Sequence, residues 1–265
     1  MSEQRNLRAS LAVLLRALKL PTFVAMYVEV AAQAEKQGWS FEAYLHHLAT
    51  AELEERKQRR IERNLKRAHL PEGKTLATVK PEKVPVKVRR QLPTLCEGAF
   101  ADRAENVLAF GLPGRGKTHL LCAIAYELVQ RGYSVLFIPA FHLVQQLLMA
   151  KRELILDQAL QRLDRYDVVL VDDIGYIQQD REEMEVLFTF LSQRYERRSV
   201  MITSNLVFSQ WDRIFKDPMT TAAAIDRVVH HAIILELTGP SIRNEQANER
   251  NKGAKPGTSR TETES

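Results

Sequence analysis

The stretch "ENVLAFGLPGRGKTHL", residues 105–120, sets the architecture that the rest of the chain must fit. Five residues of buried-strand character, "NVLAF", run straight into a glycine-rich turn, and the turn opens a segment of helical pattern, "THLLCAIAYELVQRG". The turn fills every position of the spacing G-x-x-x-x-G-K-[ST], from Gly111 through Gly116 to Lys117 and Thr118, and strand, turn and helix in that order form a phosphate cradle. Gly111, Gly114 and Gly116 let the backbone turn tightly and approach phosphate without a Cβ in the way. Neighbouring N–H groups and the helix start present partial positive charge to the phosphates. Lys117 then reaches the β and γ oxygens of ATP, and Thr118 holds Mg²⁺. Pro113 and His119 complete the expected nucleotide-binding stretch.

Downstream, "SVLFIP", "DVVLVD", "SVMITS" and "AIILEL" alternate with amphipathic helical stretches. This is the pattern of an α/β domain with a doubly wound parallel sheet. "DVVLVD" delivers Asp172, the second carboxylate that a P-loop needs to position the metal. Asp173 follows at the place of a water-polarising carboxylate. Being one methylene shorter than glutamate, it either acts as base on a closer water or only orients its neighbour. The extra strand "SVLFIP" between the P-loop strand and "DVVLVD" points to nucleotidases that couple hydrolysis to work. Asn205 directly follows "SVMITS", beside the metal-binding strand, where an amide holds the attacking water or caps the next helix. Arg227 in "AIDRVVHH" and Arg243 in "TGPSIR" are candidates for an arginine that contacts the transferring phosphoryl group across a subunit boundary; Arg213 in "WDRIF" is a weaker competitor.

The chain of 265 residues is 45% hydrophobic and 27% charged, an ordinary globular composition. No apolar run approaches the ~20 residues of a membrane span. The amino terminus lacks the pattern of a secretory signal, so a cytoplasmic protein is expected. Two cysteines, Cys96 and Cys122, are too few for a metal knuckle and read as buried small side chains. His46, His47, His230 and His231 read as structural or surface residues.

Net charge is +5, and its placement is uneven: residues 1–100 hold 18 Lys and Arg against 11 Asp and Glu, or +7, leaving 20 against 22, or −2, for the remainder. That front third shows three helical stretches, punctuated by Pro21 and Gly38 and ending near Pro71. In the third, Arg56, Arg59, Arg60, Arg63 and Arg67 fall on one narrow stripe at ~100° per residue. The stripe extends about 16 Å and is suited to following a phosphate backbone without reading bases. Glu52 and Glu55 can pair with Arg56 and Arg59 at i,i+4, which leaves the other three arginines without a partner at that spacing. The expected organisation is a helical DNA-binding and oligomerisation domain over 1–70, a basic linker over 71–98, an ATPase domain over 99–245 and a polar tail over 246–265.

These motifs together resemble the IstB family, the AAA+ ATPase helpers of insertion-sequence transposition, which are relatives of the DnaC-type helicase loaders. The likeness runs through "VDDIGY", "LFTFLSQRYERRSVMITSNLVFSQWDRIF" and "AAAIDRVVHH" to "GPSIR". It implies a P-loop AAA+ fold in which Lys117 and Thr118 belong to Walker A, Asp172 and Asp173 to Walker B, and Asn205 to sensor 1. Arg227 would be the arginine finger and Arg243 a sensor-2-like arginine. Asp173 in place of the usual glutamate and Ile242 in place of a common tyrosine are departures. The resemblance further implies a homo-oligomer on double-stranded DNA that remodels it and recruits or stimulates an IstA-like transposase. A helicase loader shares the engine and differs in partner. A small-molecule phosphotransferase would leave Asn205, Arg227 and the arginine stripe unexplained, and a DNA-coating scaffold would keep its P-loop only for structure.

Overall fold

The computed structural model describes residues 2–176, 181–211, 218–239 and 241. The chain divides into two compact units, Met1–Arg63 and Asn64–Ser265.

The first unit holds α1 (Ser2–Ala17), α2 (Pro21–Gln37) and most of α3 (Phe41–Ala68). Gly38, in the left-handed region at φ 64°, ends α2 and returns its N–H to the Ala34 carbonyl. Ser40 starts α3 by accepting the Ala43 N–H on its hydroxyl. Leu20 gives α2 no side-chain cap. Glu52, reaching across from α3, replaces it by accepting the Thr22 N–H at 2.8 Å. Arg56 then donates to Glu52 and to the Lys19 carbonyl, and Arg59 donates to the Thr22 hydroxyl, so the corner between α1 and α2 is tied by polar groups of α3. Burial pushes the Glu52 carboxyl up, but hydrogen bonds from Arg56 and Thr22 outweigh it and hold the group below the usual carboxylate range.

The second unit is built on five parallel strands: β1 (Asn106–Phe110), β2 (Val135–Pro139), β3 (Val168–Asp172), β4 (Ser199–Ser204) and β5 (Ala232–Glu236), in the order β2-β3-β4-β1-β5. Side chains alternate across a strand. Leu108, Phe110, Val169 and Val171 therefore enter one core cluster, while Val107, Ala109, Val168 and Leu170 enter another. The first cluster is shared with α7 (Ala140–Arg152), α8 (Leu156–Leu163), α9 (Arg181–Arg194) and α10 (Pro218–Val229), and the second with α6 (Lys117–Gln130). Helices on both faces make the sheet doubly wound, as the strand pattern predicts.

Two expectations change. Residues 71–98, read as a linker from their prolines and lysines, are packed: two 3-10 turns, Leu76–Thr78 and Pro81–Lys83, lead into α4 (Val86–Glu97), whose Val88, Leu95 and Cys96 join the same cluster as α6. The short helix α5 (Ala99–Asp102) then enters β1, with Phe100 buried. The apolar residues of this stretch, not its lysines, control its fate. Likewise, the strand standing between β1 and β3 in space is β4, while "SVLFIP" lies at the sheet edge as β2.

Arg194, 1% exposed, closes the amino-terminal edge of the sheet. Its guanidinium donates to the carbonyls of Leu163, Tyr166, Asp167 and Ser199, and burial lowers its pKa to about 10. Among the described residues, no helix is long and apolar enough to cross a membrane.

Candidate functional site

The site forms at the carboxyl ends of β1, β3 and β4, where an open parallel sheet leaves a crevice. Residues 111–116 loop out of β1, and α6 begins at Lys117. Gly111 sits at φ 153° with its hypothetical Cβ 2.5 Å from the Leu237 carbonyl, so any other residue would push β5's exit away from the loop. Gly114 and Gly116 also take positive φ, 80° and 83°, as the cradle requires. Lys117 is buried and donates its ammonium to the carbonyls of Gly111 and Leu112 at 2.7 and 3.2 Å. The charge is thus held inside the curl of the loop.

One carboxylate organises the next layer. Asp172 Oδ1 accepts hydroxyl bonds from Thr118 at 2.7 Å and from Thr203 at 2.6 Å. Thr203 in turn accepts the Asp173 N–H at 2.8 Å, so α6, β3 and β4 are joined through a single chain of contacts. Asp173 lies at φ 58°, a left-handed conformation that costs a non-glycine residue about 1–3 kcal/mol. The Thr118 hydroxyl and Asp172 carboxylate are hard oxygen donors, which fit Mg²⁺.

Asn205 extends from β4 beside these groups. Its Oδ1 is buried and has no hydrogen-bond partner. The local turn N–H, from Leu206, goes to Ser204 Oγ instead, so the capping alternative for Asn205 is not realised. A Cβ on Gly175 would stand 2.1 Å from Asn205 Oδ1. Glycine in "DDIG" therefore leaves the room that the Asn205 amide occupies.

Other predicted residues fall elsewhere. Arg227 bonds to Ser192 Oγ and lies over the Phe188 ring at 4.6 Å, both on α9 and neither part of the phosphate loop. Arg213, Ile242 and Arg243 lie outside the described residues. His119 faces the packed 71–98 segment, its Nε2 2.8 Å from Thr78 Oγ1, and burial lowers its pKa. Burial pushes Cys122 up to about 12 and Cys96 to about 11, which fits inert core thiols. His230 and His231 come together with Glu196, all exposed, with possible ligand atoms within 4.8 Å of one another.

Some site residues escaped the sequence reading. Thr203 looks like any strand threonine until the register of β3 and β4, Val171 against Ile202, sets it against Asp172. Val79, Val84, Arg115, Leu120 and Leu237 line a small cavity against Gly116 and His119. Arg115 is anchored by donating to the Leu237 carbonyl at 3.2 Å. Only the apolar positions of the 71–98 stretch signalled that it has a wall to build.

Residues 13–250 match the family described as IstB-like ATP binding protein. A Sinorhizobium fredii (strain NBRC 101917 / NGR234) protein, named as an insertion-sequence ATP-binding protein, is 44% identical over 242 residues, 91% of this chain and 81% of that protein. One from Pseudomonas aeruginosa, named for insertion sequence IS21, is 38% identical over 237 residues and 88% of each chain. Among solved structures, DnaI aligns with a TM-score of 0.53 at 22% identity, over 64% of this chain and 95% of that one. AMPPCP-bound DnaA from Aquifex aeolicus aligns with a TM-score of 0.52 at 19% identity, over 70% of this chain and 56% of that one. These structural likenesses carry the fold alone, and the sequence match carries the family: the chain belongs to the IstB-like ATP-binding proteins.

Proposed function

We propose that this AAA+ ATPase assembles as a homo-oligomer on double-stranded DNA when ATP is bound, remodels the DNA, and recruits or stimulates an IstA-like transposase in the cytoplasm. The observation that carries the ATP-driven part is the convergence of Thr118, Thr203 and Asp172, with the unpartnered Asn205 amide alongside, at the mouth of the phosphate loop. The names of the relatives, ATP-binding proteins of insertion sequences, support the transposition context.

In this reading the Lys117 ammonium exchanges the Gly111 and Leu112 carbonyls for phosphate oxygens, with Gly111, Pro113, Gly114 and Gly116 shaping the cradle. His119 and the cavity walls Val79, Val84 and Leu237 hold the base side of the nucleotide. Thr118 and Asp172 would hold Mg²⁺, which would supply charge neutralisation to the phosphates. Asp173 accepts the proton of the attacking water and Asn205 positions that water. Arg227, anchored on α9 rather than on its own phosphate loop, serves a neighbouring subunit's site, which makes hydrolysis conditional on assembly. Arg243 contributes to the nucleotide from the segment after β5. DNA contact by the helical front falls to Arg60 and Arg63, with Arg56 and Arg59 partly engaged at the α1–α2 corner and Arg67 belonging to the second unit.

Sedimentation on random-sequence duplex DNA with ATP, ADP or no nucleotide, at one fixed salt concentration, tests the reading. Large complexes with ATP that dissociate with ADP support it; particle size indifferent to nucleotide rejects it. Capture of a helicase in place of the transposase would reassign the partner and keep the engine.

A further inference from the structure

At the amino-terminal edge of the sheet, a cavity of about 370 Å³ is lined by Asn64, Arg67, Ser134, Arg162, Arg165 and Tyr166. Five-residue strands at ~3.3 Å per residue put this edge about 16 Å from the phosphate loop, so the cavity is no part of the nucleotide site. We propose that it is a binding site for phosphates of the DNA backbone, a second DNA contact carried by the ATPase unit itself. The proposal rests on the DNA-binding reading above and says which surface of this unit performs it.

Three arginines line one cleft, and among the described residues none of the three forms a hydrogen bond or an ion pair through its side chain. The carboxylates adjacent in sequence are already committed. Asp164 lies 3.6 Å from Arg194 and 3.5 Å from Arg197 and accepts from Gln193; Asp167 pairs with Arg198 at 2.6 Å and accepts from the Ser134 hydroxyl and N–H. Both carboxylates that flank Arg165 in sequence are thus engaged with other groups. Meanwhile the backbone beneath the cleft is pinned. Asn64, one helical turn before Arg67, donates to the carbonyls of Gly132 and Tyr133, and the Ser134 hydroxyl donates to the Arg165 carbonyl. Fixed backbones carrying long, unpaired cations favour a polyanion whose charges arrive in series, because each guanidinium can take a phosphate in a bidentate fork. Arg67 and Arg162 stand in the last turns of α3 and α8, where a cation also complements the helix dipole. Arg165 lies in no helix, so the dipole does not account for the set.

The experiment uses the full chain and a fluorescent random-sequence duplex with ATP, measuring affinity across a salt series. Arg162→Gln with Arg165→Gln should weaken binding about tenfold or more and lower the slope of log affinity against log salt by about 2, since each phosphate contact contributes ~0.9. The Arg162→Lys, Arg165→Lys pair should recover most of the slope. ATP affinity and melting temperature should match the unchanged protein in both. Unchanged affinity and slope in the glutamine pair would overturn the proposal, as would a weakening that follows a fall in melting temperature at constant slope. Absence of duplex binding by the unchanged protein would instead reject the DNA-binding reading, and this site with it.

Discussion

In the α/β unit every residue of β1 and β4 is buried, whereas in the helical unit Leu7, Leu14, Leu18, Phe41, Leu45 and Leu53 stay between 57% and 90% exposed. Both regions show strong apolar periodicity. In the first, parallel strands give each helix an apolar surface to cover, and burial at ~25 cal/mol per Å² supplies the stability. In the second, three helices bury a few side chains such as Leu15, Val30, Leu48 and Ile61, and the corner is held by Glu52, Arg56 and Arg59. Periodicity reports that a face is available for covering, and only a partner surface determines whether it is covered.

The largest effect that sets the two units apart is catalytic. Lys117→Ala should reduce ATP turnover by about 10²-fold or more, while circular dichroism shows the helical content retained. Structural changes come next. Arg194→Met leaves four carbonyls without their donor and should cost about 3–5 kcal/mol in chemical denaturation; Leu108→Ala, in the middle of the sheet, should cost about 2–5 kcal/mol. A loss under 1 kcal/mol in either would mean the α/β unit is not held by its core. In the helical unit, Glu52→Gln should cost about 1–2 kcal/mol, the charged cap of α2 being replaced by a neutral one. Because the folded carboxyl lies below its unfolded value, this contribution is present above the ordinary carboxylate pKa of ~4.3 and fades as pH falls through the folded value; the variant's melting should lack that part of the acid dependence. Smallest of all, Leu14→Ser should move stability by less than about 0.5 kcal/mol. A large drop there would show that α1 is covered after all, and would erase the contrast.

How much could be read in advance differs between the regions for the same reason. The phosphate loop is contiguous: its glycines, lysine and threonine act through neighbouring backbone groups, so Gly111 to Thr118 announce the site without knowledge of anything distant. Asp172 and Asp173 stand out as candidates because an apolar strand ending in acids is itself a local pattern. The stripe on α3 was visible too, but the work done by Arg56 and Arg59 at the α1–α2 corner was not, since their partners Lys19 and Thr22 lie 37 positions away.

The chain alone therefore carried the nucleotide cradle, the alternation of strands and helices, and the basic bias of the front third, all of which depend on spacing between near neighbours. Folding was needed to bring Thr203 onto Asp172, to leave Asn205 buried and unpaired beside Gly175, to pack residues 71–98 against α6, and to gather Arg67, Arg162 and Arg165 around one cleft. Those juxtapositions arise from strand order and helix crossing, which join residues dozens of positions apart. No local pattern of charge or hydrophobicity encodes which of many such pairings the packed core will select.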